Sequence, residues 1–163
     1  MSLNDRDALA ALHAAFDPDD ANGLIGRFYT RWFSFDMSPR DLFPPDMAGQ
    51  RAAFANALHW VYGELVAQRA EEPVAFLAQL GRDHRKYGVL PEHYETLRQA
   101  LHATLRDELR EAWTDAVDAA AQQSLNLIIG LMSGAADAEQ GPAWWDGTVI
   151  EHLRISQIGR AHV

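Results

Sequence analysis

Residues 80–94 read Leu80-Gly81-Arg82-Asp83-His84-Arg85-Lys86-Tyr87-Gly88-Val89-Leu90-Pro91-Glu92-His93-Tyr94. Leu77 and Leu80 precede His84 by seven and four residues. At the helical period this spacing turns the histidine toward the apolar side of its helix. Gly88 suits the position just past a helix end, because glycine alone takes a left-handed backbone without strain. Pro91 suits the first turn of the next helix, where a missing N–H costs nothing. The stretch therefore predicts two helices, a tight turn between them, and one histidine facing inward.

The same reading extends in both directions. Alanine and leucine dominate, β-branched residues are sparse, and Pro and Gly fall between the periodic segments. Asn4 is expected to cap a first helix carrying Leu9, Leu12 and Phe16 inward, ended by Asp17-Pro18-Asp19-Asp20. A second helix is expected over 20–35, with Leu24, Phe28, Trp32 and Phe35 at helical spacing. Ser38-Pro39 opens a short turn that Pro44-Pro45 breaks. Further helices are expected over 46–68, 71–87 and from 91 onward, the last of these with Leu97, Leu101 and Leu105 on one stripe. A final helix is expected from 107–111 to Gly134, burying Trp113, Val117, Leu125, Ile128 and Met132. Beyond Gly141-Pro142 the pattern changes, and residues 148–155 alternate as a single β-strand would. A lone strand needs a sheet to join.

The chain of 163 residues has about the length of one domain. Its 14 basic against 23 acidic residues leave a net charge of −9, which argues against nucleic acid or an anionic membrane as partner. It contains no cysteine, so disulfides, thiolate zinc sites, iron–sulfur clusters and a cysteine nucleophile are excluded. Residues 1–20 lack the basic start and apolar run of a signal peptide. The longest apolar stretch, 125–132, is far short of the roughly 18 residues that a membrane span needs. A cytoplasmic location is the simplest expectation.

Of the seven histidines, six invite no special reading. His13, His59 and His102 are expected at exposed positions on leucine-packed helices, and His152 and His162 fall in the tail. No pair has the spacing that sets two metal ligands on one helical face, and His93 lies across Gly88 and Pro91 from His84. A zinc site is not expected. The acids of 17–20 read as a solvated cap, and the glycine pairs at 23–26 and 130–134 as close helix approaches. No G-x-G-x-x-G, P-loop or G-x-S-x-G is present. His84 remains: either a satisfied core histidine, or the one-sided ligand of an iron porphyrin held in an apolar slot of Phe, Trp and Leu.

Here a family resemblance becomes specific. Residues 80–94 resemble the proximal haem region of bacterial globins, above all the haem domain of flavohaemoglobins. Phe28-Tyr29 resembles that family's distal tyrosine motif. Asp41-Leu42-Phe43 resembles the turn whose phenylalanine packs on the haem. Gln50-Arg51-Ala52-Ala53-Phe54-Ala55-Asn56-Ala57-Leu58 resembles the distal helix, with Gln50 at its polar, ligand-facing position. Trp145-Asp146-Gly147-Thr148 resembles the junction into a flavin-binding reductase domain. The motifs keep the family's order over about 3–155.

The resemblance implies an all-α globin fold of six to seven helices around a haem pocket, with a short β-like C-terminal tail. It implies a haem domain over 1–140, and a linker with the first strand of a missing reductase domain over 141–157. That missing domain would hold FAD and NAD(P)H. Ile158-Gly159-Arg160-Ala161-His162-Val163 can be read in frame from a common sequencing adapter, so 158–163 is expected to be non-native; resequencing across the junction checks this. The implied cofactor is haem b, with His84 as the iron ligand and Tyr29, Phe43, Gln50, Phe54, Val89 and Tyr94 around it. Tyr29, Gln50 and Tyr94 carry the implied catalytic roles: the first two donate hydrogen bonds to dioxygen, and Tyr94 stands behind the proximal histidine. One departure stands out. Counted from Trp113, the family's proximal glutamate falls at Ile128, and 125–132 contains no acid.

Two functions follow from the resemblance. One is nitric oxide dioxygenation, with electrons from a reductase domain or a separate reductase. The other is a reversible dioxygen carrier, store or sensor. A haem-free helical domain is the third reading, and only the ordered motifs speak against it.

Overall fold

The computed structural model describes residues 3–139 and 141. Six α-helices follow one another: α1 (Leu3–Ala15), α2 (Leu24–Phe35), α3 (Ala48–Val66), α4 (Glu71–Lys86), α5 (Pro91–Leu109) and α6 (Asp115–Ala138). Short 3-10 turns at Pro18–Asp20, Arg40–Leu42 and Arg110–Ala112 join some of them. The described residues contain no strand, as an all-α fold requires. The strand expected over 148–155, the linker over 142–157 and the tail over 158–163 lie outside the described residues.

The helix limits follow local chemistry. Gly88 takes φ 77° and its N–H reaches Arg85 O, which closes α4. Pro91 opens α5 as its spacing predicts, and Thr114 caps α6 by accepting from the Val117 N–H at 3.2 Å.

Three expected limits are corrected. Asn4 lies inside α1 rather than at its cap. Residues 17–20 form a turn held by Asp17 accepting from the Asp19 N–H, so α2 starts at Leu24, not at 20. Residues 107–109 finish α5, the chain reverses at Arg110 with φ 46°, and α6 begins at Asp115 and continues past Gly134 to Ala138. Helical periodicity does not stop at a corner, so the sequence shows no boundary there.

The packing joins elements distant in sequence. α4 lies along α6, α1 against α3 and α6, and α2 against α5. Phe16, Phe28, Tyr62, Leu12, Ile25, Leu101, Leu105 and Leu125 are fully buried where these helices meet. Inside, Tyr62 Oη and Ser124 Oγ share a hydrogen bond of 2.7 Å, and burial pushes the Tyr62 hydroxyl up to about 12. Trp32 Nε1 donates to Thr96 Oγ1, which donates to Asp36, so a polar thread ties α2 to α5.

The histidines expected at exposed positions are half-buried. The rings of His13 and His59 lie tilted against each other with centroids 4.2 Å apart, and His59 Nδ1 donates to Phe16 O. His102 bonds Asp118 across α5 and α6. Among the described residues no helix is long and apolar enough to cross a membrane, and no group of three or more His, Asp or Glu is arranged for a metal ion.

α4 meets α6 at Gly81. A Cβ there would overlap the carbonyl oxygen of Met132, and backbone cannot step aside as a flexible side chain can. Gly81→Ala is expected to push the helices apart and to destabilise the fold by about 2 kcal/mol or more. Chemical denaturation followed by circular dichroism checks this, and an unchanged midpoint contradicts the close crossing.

Candidate functional site

On one side of the site stands a tight set of aromatic rings. Tyr29 and Phe28 come from α2, Phe54 from α3, and Phe43 from the corner after the Arg40–Leu42 turn. That corner is shaped by Arg40, whose guanidinium donates to the carbonyls of Phe43, Pro44 and Pro45. The Tyr29 ring lies 5.6 Å from Phe43, edge to face, and 5.9 Å from Phe54. Gln50, in the first turn of α3, donates from Nε2 to Tyr29 Oη at 3.1 Å. Four residues expected to share a site from distant sequence positions therefore do meet.

The direction of that hydrogen bond matters. Tyr29 accepts from Gln50, so its own proton is left for another partner. The residue is 5% exposed, and burial pushes its hydroxyl up to about 12, with the Gln50 bond and the Arg51 charge opposing. Tyr29 stays a protonated donor across the physiological range.

His84 is half-buried near the end of α4. Its Nδ1 lies 2.7 Å from Leu80 O, one turn back. A carbonyl only accepts, so Nδ1 is the donor in this bond. The bond fixes the rotation of the ring and leaves Nε2 outside it. Val89 is half-buried just beyond, its N–H reaching His84 O at 3.4 Å.

Tyr94 is buried on α5, and its hydroxyl finds no partner among the described residues. An orphaned buried hydroxyl costs on the order of 1–3 kcal/mol and calls for something to bond. Burial, followed by the charge of Asp137, raises its pKa. Ile128 is buried on α6, and its side chain carries no acceptor.

His93 is the residue that sequence reading passed over. It is 5% exposed, and its Nδ1 accepts from the Leu90 N–H at 3.1 Å, while its own N–H donates to Leu90 O. It is the cap of α5 rather than a ligand. Its place three residues after Leu90, with Pro91 between, was the available signal. Thr96, the link between Trp32 and Asp36, carries no signal in sequence at all.

Residues 26–132 match the family model described as Globin, which is about two thirds of the chain. The chain belongs to the globin family. A globin binds haem and, on it, a small ligand. The residues of this globin fit that group. One imidazole nitrogen lies outside the Leu80 bond, Phe43, Phe54, Leu80, Val89 and Leu97 are half-buried apolar side chains packed against the core, and two tyrosine hydroxyls have unspent bonding capacity among the described residues. A broad polar depression of about 730 Å³, lined by Arg27, Arg31 and Arg51, opens beside α2 and includes none of these residues.

The hydroxyl chemistry makes a testable statement. A pKa raised in the fold adds stability that is complete below the ordinary tyrosine value of 10.0 and is lost as pH climbs toward 12. Alkaline titration of tyrosinate absorbance in the haem-free globin is expected to leave Tyr29 and Tyr62 protonated until near 12, with stability falling over that interval. Tyr29→Phe removes one late-titrating group and part of the fall. Ionisation of Tyr29 near 10 in the folded chain contradicts its burial.

Proposed function

We propose that this globin binds haem b through His84 and holds dioxygen beside Tyr29 and Gln50, as the haem domain of a flavohaemoglobin-like nitric oxide dioxygenase. The observation that carries the reading is the Gln50–Tyr29 bond at 3.1 Å, which leaves the Tyr29 proton uncommitted. Haem, which His84 would hold, would supply a redox-active iron able to take a diatomic ligand.

The chain's own residues do the rest. His84 presents Nε2, with its ring rotation set by Leu80 O. Tyr29 offers its proton where negative charge gathers on dioxygen, and Gln50 holds the Tyr29 oxygen in place. Phe43 and Phe54 exclude water from the slot, which strengthens every hydrogen bond within it. Val89 supports the proximal side, and Tyr94 brings an unpaired hydroxyl to it.

In the proposed reaction nitric oxide, dioxygen and one electron give nitrate. The electron would come from NAD(P)H through FAD, on a reductase domain past the globin domain or on a separate reductase. The likeness of Trp145-Asp146-Gly147-Thr148 to a reductase junction supports the first arrangement.

A second reading, a reversible dioxygen carrier or sensor, is favoured by Ile128. An isoleucine side chain cannot accept the proton that would make the proximal imidazole more electron-rich, and the Tyr94 hydroxyl has no partner among the described residues. Rapid mixing of the oxygenated protein with nitric oxide separates the two. Prompt oxidation to ferric haem with stoichiometric nitrate supports the dioxygenase; oxygenated protein that persists without nitrate supports the carrier.

Two substitutions test the residues. His84→Ala is expected to lose the histidine-ligated spectrum that haemin gives with the unaltered chain. Tyr29→Phe is expected to speed dioxygen dissociation about tenfold, the worth of one hydrogen bond of roughly 1.4 kcal/mol. Equal dissociation rates remove Tyr29 from the proposed role.

A further inference from the structure

Arg85 directly follows His84, and its side chain leaves α4. One guanidinium nitrogen donates to Glu139 O at 3.4 Å and the other to Gly141 O at 3.0 Å. Both acceptors lie just past the end of α6. Neither carbonyl belongs to the helical ladder, and the negative end of the α6 dipole lies close by, so a guanidinium is a fitting donor. Gly141 adopts φ 106°, a conformation that side-chain-bearing residues resist. Lys86, the next cation, pairs only with Asp83 on its own helix.

α4 is thus attached to α6 on both sides of His84. Three residues before it, Gly81 lies against Met132. One residue after it, Arg85 grips the chain leaving α6. Between these points the bond from Nδ1 to Leu80 O sets the imidazole rotation.

We propose that Arg85 is a positioning residue for His84: it fastens the end of α4 to the chain leaving α6, so a shift of residues 139–141 moves the proximal imidazole. A partner domain or protein that engages the chain after α6 would then act on the proximal side of the haem site through this one side chain. The inference rests on His84 being the iron ligand.

The test uses the full chain in two states. With ferrous haem bound, resonance Raman reads the iron–imidazole stretch. Without haem, amide hydrogen exchange reads residues 84–89. Arg85→Met keeps the apolar stem and removes the donors. It is expected to shift and broaden the Raman band and to raise amide exchange about tenfold. Arg85→Lys, which restores one charged donor, is expected to recover part of both. Gly141→Ala attacks the strap from the acceptor side. A Cβ there meets no atom within 4 Å, so only the backbone angle resists it. It is expected to reproduce Arg85→Met, and the double variant to add little to either.

A band and exchange rate unchanged in Arg85→Met overturn the proposal, as do fully additive effects of the two substitutions. If Arg85→Met does not fold, Gly141→Ala alone decides by the same signals. His84→Ala tells the two failures apart. If it loses the Raman band while Arg85→Met keeps the unaltered one, only the strap fails. If it keeps the band, the ligand assignment fails and the strap with it.

Discussion

The close contact of α4 with α6 at Gly81 governs the surroundings of His84. A helix can approach another's backbone only where a side chain is missing, and here the facing atom is the Met132 carbonyl oxygen. His84 stands three residues further along α4, so the same contact sets its height over α6. Leu77 is buried one turn before Gly81, and Leu80 is half-buried and lends its carbonyl to the imidazole. The placement of the histidine is therefore a consequence of backbone packing, with the hydrogen bond supplying only its rotation.

The two sides of the site differ in how their polar groups are satisfied. Beside Tyr29 the oxygen accepts from Gln50 and the proton remains available, in surroundings of Phe28, Phe43 and Phe54. Such surroundings favour the neutral hydroxyl, because an anion there would lose its water. Beside Tyr94 neither proton nor lone pair is used. Ile128, buried on α6, adds apolar surface and no side-chain acceptor.

The seam between α2 and α5 shows which bonds matter for the frame. Arg27 with Glu108 and Arg31 with Asp107 cross it at the surface, where solvent screens them and they contribute little. The thread from Trp32 through Thr96 to Asp36 crosses the same seam in part-buried surroundings, where a lost partner is costly. Trp32 also stacks on Phe28 and Phe33, so this thread reaches the aromatic wall of the site. The tilted His13–His59 ring contact does a similar job between α1 and α3, where Gly63 leaves room for the His13 ring.

Much of this was legible in the chain alone. Period and punctuation were enough for six helices, because apolar spacing, Gly88 and Pro91 act within a few residues of themselves. The grouping of Tyr29, Phe43, Gln50 and Phe54 was legible through family resemblance, not through spacing. Tertiary structure alone decided the rest. It settled that α6 begins at Asp115, that His13, His59 and His102 are half-buried, that His93 caps α5, and that Arg85 reaches Glu139 and Gly141. The reason is physical: a helix's face is set by its own residues, but a hydrogen-bond partner is chosen by which helices cross. Crossings depend on atoms far apart in sequence, such as a missing Cβ at Gly81 and a carbonyl at Met132.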